Sequence, residues 1–211
     1  MIAALIAVSV AASALGAWPE ARDTWRGLRH PGHPRAAKPV VLSWLVWTAI
    51  LGIGGTAALY DGQLAAAVFT LAEGAGCVLV AVLAMRIPAD RRDEPARIPL
   101  PGGRIRLDVL CLPGAAAGLV LLAVARAPGP TVAVSIGTDV LAYVPTVAHS
   151  WRYPHSEAWS SYAWYAVSAA AALAAVRHVS LTAVGYPAYL AVAETVVAAV
   201  ILGRRGVTPP A

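Results

Sequence analysis

Apolar residues in this chain fall in long blocks, with the polar residues gathered between them. The blocks occupy residues 2–18, 40–59, 64–85, 109–125, 131–148, 159–176 and 181–202. A hydrocarbon core about 30 Å thick is crossed by about 20 residues of α-helix. The pattern therefore predicts seven transmembrane helices, several at the short end of that range. The fourth block is the most interrupted, by Pro113, Gly114 and Gly118, but membrane helices accept such residues more readily than soluble ones do. The first block also resembles the apolar core of a cleavable leader, with Ala12-Ser13-Ala14 or Leu15-Gly16-Ala17 as the small-residue cleavage site. No basic residue precedes it, so a retained helix is the expectation, with cleavage to six helices as the alternative.

Composition narrows the class. With 59% hydrophobic and 13% charged residues and a mean hydropathy of +0.67, the chain is neither an ordinary soluble domain nor a disordered one. A formal charge of +5 would ordinarily suggest a polyanion, but the charges avoid the apolar blocks. Membrane orientation accounts for them instead, which makes the lipid bilayer the expected partner and nucleic acid an excluded one. If the N-terminus faces outward, the inner segments hold Arg22, Arg26, Arg29, Arg35 and Lys38, then Arg86, Arg91, Arg92, Arg97, Arg104 and Arg106, then Arg152, and last Arg204 and Arg205. Only Arg126 and Arg177 remain outside, so the positive-inside bias predicts N-out and C-in.

The chain also repeats itself. Trp18-Pro19 followed by Trp25-Arg26 recurs as Val144-Pro145 followed by Trp151-Arg152, each marking a helix end. Ser43 and Trp47 recur as Ser160 and Trp164, and Leu71-Ala72-Glu73 recurs as Val192-Ala193-Glu194, in the same order. Two three-helix units, 1–85 and 131–205, are thereby joined by a cytoplasmic loop and linker helix over 86–130, with a C-terminal tail at 206–211. Both units start outside and end inside, which makes them parallel repeats about an axis along the membrane normal.

This 3+1+3 layout resembles the SWEET and PQ-loop superfamily, and small bacterial membrane proteins of that type most closely. Tyr143-Val144-Pro145-Thr146, with the stretch Trp151 to Glu157 that ends Ser156-Glu157, is similar to the family's Pro-Gln turn and its following Ser-x-Glu loop. Two positions depart from it: Thr146 stands where the family has Gln, and Glu20 follows Pro19 in the first half. The resemblance implies a bacterial inner-membrane carrier with matched polar residues on helices three and seven, and an acid near the Pro-Gln turn where transport is proton-coupled.

The residues that carry chemistry are few. Glu73, Asp139 and Glu194 fall near the midpoints of the third, fifth and seventh blocks. An acid at a helix centre costs about 2.5–3.5 kcal/mol to insert, and such groups usually face a bundle interior or a wet cavity on an ion, proton or substrate path. Thr70, Glu73 and Cys77 share one helix face, and Ser135, Asp139 and Tyr143 share another. With no basic residue at their depth, the acids reduce that cost by holding a proton, so exchange of a proton at one of them, Asp139 first, is the expectation. The plainer alternative is a protonated acid that merely bonds across a helix interface, helped at Glu73 by the small residues Gly74, Ala75 and Gly76.

Pro19 and Pro145 are candidate hinges, since a proline inside a helix removes a backbone hydrogen bond; ending the helix is the competing role. Trp47 and Trp164 could stack on a flat ligand, or simply join the interfacial aromatic belt with Trp44 and Trp159. His30 and His33 lack the fuller ligand set of a zinc site, and Cys77 and Cys111 have no partner at a motif spacing. No cofactor, metal or catalytic constellation is expected, hence no enzyme; Pro101-Gly102-Gly103 reads as a turn. The sequence thus predicts an all-α integral membrane protein that carries a small polar solute, sugar-like or amino-acid-like, through a midplane site between two bundles, with proton coupling left open. A non-transporting receptor or accessory protein of the same fold is the alternative, and assembly into homo-oligomers stays open.

Overall fold

A computed structural model describes residues 1–33, 37, 40–92, 97–100, 103–155 and 158–207. Seven α-helices account for most of it: α1 (Ile2–Arg29), α2 (Val41–Tyr60), α3 (Leu64–Met85), α4 (Leu107–Ala123), α5 (Pro128–Arg152), α6 (Trp159–Ala174) and α7 (Leu181–Arg205). Five of them, α1, α2, α3, α5 and α7, are long and apolar enough to cross a membrane. The 17 residues of α4 and 16 of α6 reach about 24–26 Å at 1.5 Å per residue. Helix surfaces turned away from the bundle keep large apolar side chains outward, with Val192 65%, Val120 56% and Leu79 48% exposed. An outer surface so apolar suits lipid rather than water, and this largely helical architecture is compatible with a helical membrane protein.

Packing organises six helices around a centre. α3 packs between α1 and α2, and α7 packs between α5 and α6. The circuit closes through two seams, α1 on α6 and α2 on α5, while α3 and α7 meet across the middle. α4 lies outside, over α2 and α5. The Asp61-Gly62-Gln63 turn that joins α2 to α3 needs a left-handed residue, and Gly62 supplies it at φ 72°. Asp61 accepts a hydrogen bond from Thr182, which fastens that turn to the start of α7. At the opposite end Arg204 lies 4.7 Å over the Trp151 ring and bonds its carbonyl, while Arg205 bonds the Pro154 carbonyl at 2.9 Å. The C-terminal ends of α5 and α7 are thus tied together.

Two expectations change here. Pro19 and Pro145 do not mark helix ends: α1 runs ten residues beyond the first and α5 seven beyond the second. Loss of one hydrogen bond is tolerated when the rest of the helix is packed, and past Pro19 the helix is supported by Asp23, which pairs with Arg26 at 2.7 Å and Arg22 at 3.2 Å. The loop before α4 is also not wholly irregular. Strands β1 (Arg97–Leu100) and β2 (Gly103–Arg106) pair antiparallel, with Leu100 opposite Gly103. Pro101, Gly102, Ser156, Glu157, Arg35, Lys38, Pro39 and residues 208–211 lie outside the described residues, as does the side chain of Pro145.

Candidate functional site

Each of the three central acids is turned inward by the helix that carries it. Glu73 is 4% exposed, Asp139 1% and Glu194 4%. On α3 the face Thr70–Glu73–Cys77 is buried as its spacing predicted. Gly76 allows this, since a Cβ there would lie 2.9 Å from Ala17 of α1. The carboxyls converge from three helices, and Glu73 lies within electrostatic reach of both Glu194 and Asp139. One oxygen of each, Glu73 Oε1, Asp139 Oδ1 and Glu194 Oε2, is buried with no hydrogen-bond partner. Such unmet polar atoms are uncommon in folded interiors and call for an explanation.

An aromatic wall stands beside them. The Tyr143 hydroxyl donates to Glu194 Oε1, which orients that carboxyl and leaves its second oxygen open. The Tyr143 ring lies between Trp47, at 5.9 Å, and Tyr189, at 6.2 Å; Trp44 continues the row beyond Trp47 at 5.3 Å, and Tyr186 beyond Tyr189 at 6.3 Å. Trp47 comes from α2, and its indole N–H lies near the Asp139 carboxyl, short of good hydrogen-bond geometry. Tyr186 fits over Gly54 of α2, where a Cβ would come 2.4 Å from its ring, and its hydroxyl points to the Ile50 carbonyl at 3.5 Å. Ser135 is 1% exposed, held between Gly118 of α4 and the reach of Tyr186.

Six of the seven predicted binding residues therefore belong to one neighbourhood: Glu73, Ser135, Asp139, Tyr143, Glu194 and Trp47. Trp164 does not. It is 42% exposed on the outer side of α6, and its neighbour Tyr165 turns inward, against Gly16 of α1 and toward Gly76 of α3. One residue is about 100° of helix rotation, so a match by spacing one position out of phase selects the lipid face. Tyr186 and Tyr189 were missed. Tyr186 stands eight residues before Glu194, on the same helix face, and that spacing could have pointed to it.

A second polar group went unread. Ser168 of α6 lies 3.0 Å from the Ser9 hydroxyl and 2.8 Å from that of Ser13, both on α1, and donates to the Ser9 carbonyl at 2.7 Å. All three are buried. Ser9 and Ser13 share a helix face at i, i+4, but nothing in that spacing names Ser168 as their partner.

Chemically, the acid neighbourhood can hold protons or a positive charge, and its rings can stack on a ligand. No protein-family model, curated protein or solved structure matches this chain.

Proposed function

We propose that the protein is a transporter that moves a small polar solute through the site between α2, α3, α5 and α7, coupled to protons held by its carboxyls. The observation that carries this reading is the trio of buried acids with unpartnered oxygens, drawn from helices that face one another. Acids that only packed helices together would be expected to have those oxygens satisfied, because each unmet buried group costs free energy.

The duplicated helix pairing supports the mechanism. The pairs α1–α3, α3–α2 and the seam α1–α6 each have a counterpart in α5–α7, α7–α6 and the seam α5–α2, which suits two parallel three-helix repeats of the SWEET and PQ-loop layout. Rocking of one repeat against the other would expose the site to each side in turn. In this reading the arginine-rich helix ends face the cytoplasm, N-out and C-in, in a bacterial inner membrane.

The test is reconstitution into proteoliposomes containing a pH-sensitive dye, with counterflow measured for a panel of sugars, amino acids and organic cations. One panel member should exchange and move protons, and Asp139→Asn should abolish the proton movement. Binding without exchange would assign a receptor instead. Unaltered uptake and pH response in the variant would remove Asp139 from the mechanism.

A further inference from the structure

The substrate class can be read from what surrounds the three carboxyls. The titratable groups that face them are Cys77 on α3, Tyr143 on α5, Tyr165 on α6, Tyr186 and Tyr189 on α7, and Glu20 on α1. Among the described residues none of these is basic; on α1 Arg22 and Arg26 pair with Asp23, and the other α-helical cations lie in the last turns of α1, α5 and α7. When ionised, a site of this kind repels anions; when protonated, it offers a neutral solute only carboxylic O–H groups, hydroxyls and one indole as donors. Positive charge is what it lacks.

The geometry also separates a metal ion from a larger cation. Among the described residues, no three His, Cys, Asp or Glu groups come close enough to hold one metal ion. The acids instead lie beside a row of rings, with Trp47, Tyr143 and Tyr189 in edge-to-face or tilted contact. Aromatic faces attract ammonium groups through the ring quadrupole, most strongly where water is excluded.

Resting on the transport reading above, we infer that the solute is an organic monocation, an amine or quaternary ammonium compound, bound between Glu73, Asp139 and Glu194 against the Trp47–Tyr143–Tyr189 wall and exchanged for a proton. When the cation enters, one carboxylic O–H bond breaks, the oxygen keeps the electron pair, and the proton passes to water on the side from which the cation came. One proton leaves for each positive charge that enters, so the net charge of the buried site is unchanged. After the bundles rock, the cation leaves on the far side and a proton from that side restores the acid. The net result is antiport.

Purified protein in detergent separates the two readings. Binding of methylammonium, tetramethylammonium, glucose and glycine is measured by calorimetry in weak buffer, with released protons followed by a dye. One or both cations bind and release about one proton each, while glucose and glycine do not bind. Glu194→Gln and Glu73→Gln weaken cation binding by about tenfold or more, the scale of losing a charge-assisted contact, and Trp164→Ala leaves it unchanged. Melting curves confirm that each variant is folded, and Asp139→Asn provides a further variant if either glutamine form is not. Binding of glucose or glycine without the cations, or binding of none of the four, overturns the inference. Counterflow with whichever probe binds then tests transport alone: a cation that binds without exchange leaves the ligand class standing and sinks the carrier, whereas glucose that binds and exchanges does the reverse.

Discussion

The two seams that close the six-helix circuit are built from the same kind of pairing and filled with opposite chemistry. Where α1 meets α6, Ser9, Ser13 and Ser168 bond one another and the Ser9 carbonyl, and the ring of Tyr165 fits against Gly16. Where α2 meets α5, Trp47 lies beside Asp139, and both keep a buried polar atom without a partner. The spacing that relates Pro19 to Pro145 also relates Ser9 to Ser135 and Ser13 to Asp139, so one register holds hydroxyls in one seam and an acid in the other. The linker helix α4 covers only the acid seam: Gly118 approaches Ser135, and Cys111 approaches the Thr138 carbonyl at 3.7 Å. On one seam the serine trio is satisfied internally, which favours a fixed contact, although the Ser161 hydroxyl beside Gly16 is buried without a partner. On the other the unmet groups are carried by an ionisable acid and an indole, which stability alone would not select.

Substitutions on the two seams should therefore separate stability from activity, and this is the largest effect expected. Asp139→Asn should lower proton-coupled uptake in proteoliposomes by about tenfold or more, as expected for loss of a charged group on the path, while the melting temperature stays level or rises. Ser168→Ala should do the reverse. It leaves the Ser9 and Ser13 hydroxyls buried without their shared partner, at about 1–3 kcal/mol, and a lower melting temperature should accompany unchanged uptake. If both variants lose stability and neither loses uptake, the contrast between the seams has no functional meaning.

A smaller effect should come from the cover on the acid seam. A Cβ on Gly114 would lie 2.1 Å from Thr138 Oγ1, so Gly114→Ala forces the threonine to turn or α4 to lift. Because α4 touches the circuit from outside, the cost should sit near about 1 kcal/mol, the low end for overpacking. Gly52→Ala is the matching control, since a Cβ there meets nothing within 4 Å. Thermal melting of both in one detergent checks the difference, and equal melting temperatures would mean that α4 is not seated as tightly as its contacts with Thr138 imply.

Much of this architecture was legible in the sequence because a bilayer imposes length and apolarity together. All seven helices fall on the seven apolar blocks, and the acids stood out because so few charges interrupt those blocks. What was lost is what apolarity does not encode. Residues 19–29 continue α1 although they are rich in charge, because a helix can continue beyond its apolar run. The serine trio is invisible because each member becomes meaningful only when α1 and α6 are brought side by side. Tyr186 and Tyr189 gain their meaning only when α7 is set against α2 and α5.

The rotation of α6 gives the smallest predicted effect and the sharpest check on reading repeats by spacing. Trp164 shares a register with Trp47 when Ser160 is aligned with Ser43, yet Trp47 reaches the acid seam while Trp164 is 42% exposed. If the helix is rotated as described, Trp164→Ala removes a lipid-facing ring and should shift stability by about 0.5 kcal/mol or less, as for surface substitutions generally, with uptake unchanged. Tyr165→Phe should have the larger consequence of the two, because that hydroxyl lies 3.5 Å from the Cβ position of Gly76, three residues along α3 from Glu73. Tryptophan fluorescence of Trp164 quenched by brominated lipid would place the ring in the bilayer. Unquenched fluorescence together with lost uptake in Trp164→Ala would return it to the interior and restore the symmetric reading in which both seams present a tryptophan.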